Sequence, residues 1–143
     1  MDFNQLNEFV TNHLLLVMAF VVLLSVLAGG ELKRRISGVQ QITPAEATRL
    51  LNHENAVMID MRNDKEYRNG HIVNAVHVPV KDRDIDGRLD KYRDRPLIVY
   101  CNNGNQSTQL CGKLRKQGFE PVYNLKGGVL AWQRSELPLT RGK

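Results

Sequence analysis

Pro96-Leu97-Ile98-Val99-Tyr100-Cys101-Asn102-Asn103-Gly104-Asn105-Gln106-Ser107 is the stretch on which the fold turns. Leu97 to Cys101 is a short apolar run of strand type, and a helical pattern begins at Ser107 with Leu110, Cys111 and Leu114 on one side. Gly118 supplies a stop. A cysteine at a strand's carboxyl end, a small polar loop and a helix N-terminus together describe an anion-binding cup. Loop N–H groups can turn inward, and the helix end adds partial positive charge. Such a setting lowers a thiol pKa and readies the thiolate as a nucleophile.

Working outward, the flanking sequence alternates helix and strand. Thr43-Pro44-Ala45-Glu46 is a capping box with Pro at the first helical position, which predicts a helix to about Leu51 with Ala47, Leu50 and Leu51 inward. Ala56 to Asp60 reads as a buried strand ending in a carboxylate, and a helical turn is expected over residues 64–68. A second strand is expected near Ala75–Val78, one short helix around Arg88–Tyr92, and a further strand over Phe119–Leu125. Gly127-Gly128 opens a last helix with Val129, Leu130 and Trp132 as core residues. Apolar strands alternating with helices predict an α/β fold with a central, mostly parallel sheet flanked by helices. In such sheets ligands bind beyond the strands' carboxyl ends, where Asp60 and Cys101 stand.

Leu14 to Gly30 reads LLLVMAFVVLLSVLAGG, without a charge. With Phe9 and Val10 and the rim residues between, the span covers about residues 9–30, enough to cross a bilayer. No polar face interrupts it, as a buried amphipathic helix would require. The acidic start at Asp2 and Glu8, with no Lys or Arg before Lys33, is unlike a cleaved signal peptide. Lys33, Arg34 and Arg35 follow directly, so the positive-inside rule puts the C-terminal part in the cytoplasm and the N-terminus outside, as for a single-pass inner-membrane protein. The expected division is residues 1–32 as anchor, 33–41 as juxtamembrane basic linker and 42–143 as the α/β domain.

Composition removes several function classes. The formal charge of +5 permits a nucleic-acid partner, but beyond residue 40 the 17 Lys/Arg and 12 Asp/Glu are interleaved, as in Lys81-Asp82-Arg83-Asp84. That pattern is a solvated face, and no nucleic acid is expected. Two cysteines ten residues apart make neither a disulfide framework nor a metal set, and no metal or other cofactor is called for. His71 and His77 have no second ligand at metal spacing and read as structural. Cys111, at an apolar position of the helix, reads as core.

The motifs resemble those of a known family. Asp60-Met61-Arg62, Glu66-Tyr67, Gly70-His71-Ile72, Ala75 and His77-Val78-Pro79 are similar to the first signature of the rhodanese family. Ile98 to Gly104 resembles its active-site loop, and Gly118-Phe119, Val122, Leu125, Gly127-Gly128 and Ala131-Trp132 resemble its C-terminal signature. With the N-terminal span, the chain looks like the membrane-anchored single-domain rhodaneses of Gram-negative bacteria.

The resemblance implies sulfurtransfer. Cys101 would carry a persulfide between a sulfur donor and a thiol acceptor, small or protein-borne, with Asn102, Asn103, Gly104, Asn105, Gln106 and Ser107 forming the substrate cup. Asp60, Arg62 and Glu66 would support it as a nearby carboxylate and a loop-bracing ion pair. The six-residue loop from Cys101 to Gln106 suits a sulfur-sized anion, whereas related cell-cycle phosphatases use seven residues ending in a phosphate-binding Arg. Catalytic members commonly carry Arg where this chain has Gln106, which predicts poor thiosulfate turnover. The competing expectation is a membrane-tethered interaction module with a vestigial cup.

Overall fold

The computed structural model describes residues 2–36 and 38–142, and the side chains of residues 33–36 lie outside what it describes. Two compact units divide at Gly38. The first holds helices α1 (Phe3–Asn12) and α2 (Leu14–Ile36), separated at His13. The apolar stretch long enough to cross a bilayer is Leu14–Leu32, with none of it buried. Phe9 and Val10, expected within the span, belong instead to α1. The basic flank, expected as linker, is the last turn of α2. Ser37 lies outside the described residues.

The second unit is built on a five-stranded sheet in the order β1-β6-β5-β2-β4, every neighbouring pair parallel. Its strands are β1 (Gln40–Ile42), β2 (Val57–Asp60), β4 (Val76–His77), β5 (Leu97–Tyr100) and β6 (Val122–Leu125). A separate antiparallel pair, β3 (His71–Ile72) with β7 (Leu139–Thr140), ties the chain's last strand to the middle of the domain. The intervening helices are α3 (Pro44–His53), α4 (Asp64–Asn69), α5 (Ile85–Leu89), α6 (Asn105–Lys116) and α7 (Gly128–Arg134), with a 3-10 turn at Asp90–Tyr92.

Strand side chains alternate between faces, so the sheet has two cores. Val57, Ile59, Leu97, Val99 and Val122 pack with Ile85 and Leu89 of α5 and Leu110, Cys111 and Leu114 of α6. Met58, Ile98, Tyr100 and Leu125 pack with Ala47 and Leu50 of α3 and Val129 and Trp132 of α7. Burial on both faces is why β2 and β5 read as continuous apolar runs.

Local signals account for most helix starts. Thr43 caps α3 by accepting from Glu46 N at 3.3 Å while Glu46 Oε2 accepts from Thr43 N at 2.7 Å. Asn63 and Glu66 repeat that capping box on α4. α6 begins at Asn105 rather than at Ser107, and its N-cap is Gly104, which has no side chain to satisfy the first N–H groups. The cap comes from elsewhere.

Candidate active site

The parallel arrangement brings the carboxyl ends of β2, β5 and β6 to one edge of the sheet, so Asp60, Cys101 and the start of α7 converge there. Cys101 directly follows β5 and is 2% exposed. Its Sγ accepts a hydrogen bond from Gly104 N at 3.2 Å and lies 3.3 Å from Ser107 Oγ, which is fully buried. The sulfur thereby takes the place of the side-chain cap that α6 lacks, and sits at the positive end of that helix. Burial pushes the Cys101 thiol up, but hydrogen bonds from Ser107, through side chain and backbone, and from Gly104 and Asn103 together outweigh it. The thiol is held below its ordinary range.

The six loop residues divide by role. Gly104 and Ser107 address the sulfur. Asn103 Oδ1 lies 3.8 Å from Sγ and accepts from Asn105 N at 3.1 Å, so that amide is occupied by the loop itself. Asn102 turns away, donating from Nδ2 to Glu66 Oε1 at 2.6 Å. Gln106 is exposed and borders a neighbouring groove. No guanidinium stands in the loop.

Asp60 and Arg62 form a buried brace. Arg62 donates from Nε to both Asp60 oxygens at 3.1 Å and through a terminal nitrogen to Oδ2 at 2.7 Å, and that nitrogen also reaches Gly70 O at 2.7 Å. Tyr100 Oη completes it, donating to Asp60 Oδ2 at 2.6 Å and accepting from Ile72 N at 3.1 Å. Burial works against the Arg62 charge, yet its hydrogen bond and ion pair with Asp60 leave it more firmly protonated than usual. Burial, then the Asp60 charge, raises the Tyr100 hydroxyl. The three supporting residues therefore split: Asp60 and Arg62 hold loops beside the cup, and Glu66 alone touches the loop after Cys101.

His71 and His77 sandwich Tyr67, with ring centroids 3.8 and 4.3 Å from it. Their ring nitrogens contact Tyr67 O and Arg62 O, both at 2.8 Å. Cys111 is fully buried, its Sγ 3.3 Å from Tyr123 O, and burial pushes its thiol up to about 12.

Sequence reasoning passed over three contributors. Asn124, fully buried, donates from Nδ2 to Gly104 O at 2.9 Å and to Gln41 Oε1 at 2.6 Å, tying the loop to β6 and β1. A lone amide within the apolar run Val122–Leu125 was the available signal. Tyr100, whose hydroxyl anchors Asp60, looked like one more apolar strand residue. Gly127-Gly128 does more than open a helix, since Val129 N and Leu130 N donate to Cys101 O at 2.9 Å and Asn102 O at 3.2 Å. Gly128 has φ +59, and a Cβ there would overlap Cys101 O and come within 2.6 Å of Asn102 O. Only glycine permits that approach.

Comparison with known proteins identifies the family. The sequence profile of the rhodanese-like domain matches residues 43–135. The uncharacterized protein YibN of Escherichia coli K12 is 37% identical over 142 residues, covering 97% of this chain and 99% of its own. The thiosulfate sulfurtransferase GlpE of Glaesserella parasuis is 37% identical over 103 residues, 71% of this chain and 94% of its own. In fold, the crystal structure of a rhodanese-related protein from Thermoplasma volcanium superposes with a TM-score of 0.64 at 21% identity, covering 72% of this chain and 99% of that one. The family profile over residues 43–135 and relatives at 37% identity show that the chain belongs to the rhodanese-like family.

Proposed function

We propose that this protein is a membrane-anchored sulfurtransferase that carries sulfane sulfur as a persulfide on Cys101. One observation carries the reading: the Cys101 sulfur, at a strand end, receives Gly104 N at 3.2 Å and adjoins Ser107 Oγ at 3.3 Å, which favours its thiolate form. The thiolate attacks the outer sulfur of a donor, the donor's S–S bond breaks, and its electron pair leaves on the former partner, sulfite in the case of thiosulfate. The new persulfide is again an anion, and the same N–H and O–H donors serve it. An acceptor thiolate then takes the outer sulfur, and the bond's electron pair returns to Cys101 Sγ. Asn102 to Ser107 make up the substrate cup, with Asp60, Arg62 and Glu66 bracing its neighbours.

Gln106 donates hydrogen bonds but supplies no charge, so thiosulfate, a dianion, is a poor donor here. The apolar helix over Leu14–Leu32 supports anchoring in the cell inner membrane. Lys33, Arg34 and Arg35 beyond it support a cytoplasmic domain with the N-terminus outside.

Intact-mass measurement after exposure to thiosulfate or an organic persulfide tests the proposal. Gain of one sulfur atom, absent from Cys101→Ala, is the expected result. The neutral, exposed Gln106 favours one other reading, a rhodanese-fold interaction module without turnover. No gain from any donor would leave that reading in place.

A further inference from the structure

A groove of about 520 Å³ runs alongside the cup, lined by Met61, Val80, Ile85, Gln106, Gln109, Leu110 and Lys113. Four features give it a direction. Gln106, the loop residue next to Ser107, is one of its lining residues, so the groove borders the loop that holds Cys101. Its middle is apolar, with Met61, Ile85 and Leu110 beneath and the exposed side chain of Val80 at the rim. Gln106, Gln109, Leu110 and Lys113 line one face of α6 at positions i, i+3, i+4 and i+7, so its far end is about 10 Å along the helix from its near end. At that far end Lys113 is the one charged lining residue, and it forms no ion pair among the described residues. The carboxylate of Asp86, on the helix that supplies Ile85, is engaged instead by Gln117 Nε2 at 2.6 Å.

Thiosulfate is too small to use these features. We propose that the groove selects the sulfur partner of Cys101, and that the partner is an organic thiol, or its persulfide, with an apolar chain and an anionic far end. Lys113 is then the specificity-determining cation, displaced two helical turns from the uncharged loop. This rests on the sulfurtransfer reading of Cys101. The acceptor's thiolate attacks the outer persulfide sulfur, the bond from that sulfur to Cys101 Sγ breaks, and its electron pair stays on Sγ, giving acceptor persulfide and free Cys101 thiolate with no external oxidant or reductant.

The test separates recognition from transfer. Full-length protein is treated with long-chain ω-carboxyalkyl and ω-hydroxyalkyl methanethiosulfonates of equal length, and with a short-chain carboxyl reagent. In each, the Cys101 thiolate attacks the alkyl-bearing sulfur and methanesulfinate leaves with the electron pair. Modification of Cys101 is followed by mass. The long carboxylate is expected to react about two- to fivefold faster than the long alcohol, the range of one exposed ion pair. That ratio falls to about one in Lys113→Gln and inverts in Lys113→Glu, while the short carboxylate is indifferent to either change. An unchanged ratio in Lys113→Gln, or an equal dependence for the short reagent, overturns the proposal. Transfer from persulfidated Cys101 to thiols of the same series is measured in parallel. Charge selectivity without any transfer would leave the groove standing and remove sulfurtransfer, and transfer without selectivity would do the reverse.

Discussion

The Cys101 sulfur serves two ends at once, as the proposed nucleophile and as the acceptor that caps α6. Because the cup prefers the thiolate, the thiol's folded pKa lies below its unfolded one, which is about 8.5. The associated stability is therefore complete above the unfolded value and is lost as pH falls through the folded value. Alkylation of Cys101 should accordingly rise with a midpoint below that of a free cysteine. Ser107→Ala, which removes the hydroxyl at 3.3 Å, should move the midpoint up by about one pH unit, the worth of one hydrogen bond to a charged group. Cys111, pushed up to about 12, should stay unmodified throughout, as peptide mapping would show. A second residue-scale expectation concerns charge. Gln106→Arg should raise thiosulfate kcat/KM roughly fivefold, the difference between a neutral and a charged hydrogen bond, and steady-state sulfite release would measure it. At this scale the places of Asp60 and Cys101 were legible, because a carboxylate and a cysteine each terminate an apolar run. Asn124 was not, because its partner Gly104 O lies twenty residues away and only the folded loop brings them together.

Among elements, the loop after β5 is defined from two sides. The Asp60–Arg62–Tyr100 brace fixes the segment after β2, and the first turn of α7 holds the loop's carbonyls. Asp60→Ala would leave Arg62 charged, buried and unpaired, and should cost about 3–5 kcal/mol in denaturant unfolding. Gly128→Ala sets an L side chain at φ +59 against Cys101 O and Asn102 O. It should cost about 1–3 kcal/mol and also raise the Cys101 alkylation midpoint, a readout that general destabilisation would not move. Element order and type were largely readable, because caps and apolar periods are local. The starts of α3 and α4 follow their capping boxes, whereas the start of α6 escaped notice because its cap is a sulfur and not a neighbouring Ser or Asp. Likewise β3 and β7 are two residues each and nearly seventy residues apart, too short for any period to register.

For the whole molecule, the division at Gly38 separates an apolar helical unit from a domain with its own two cores. Deleting residues 1–38 should therefore move the protein from the alkali-resistant membrane fraction to the soluble fraction, and the freed domain should keep a single cooperative unfolding transition. Fractionation followed by thermal melting checks both. The apolar helix was legible from composition alone, but its edges were not: the break at His13 follows no Pro or Gly, and the helix continues through the basic residues to Ile36. The grip of α7 on the loop also has a consequence in time. A ribosome emits Cys101 and Asn102 well before the N–H groups of Val129 and Leu130. Until those amides arrive, the carbonyls of Cys101 and Asn102 have no partner there and the cup is unset. The two carbonyls that flank the reactive-loop entrance are thus satisfied only after synthesis has passed Leu130, however early the loop itself emerges.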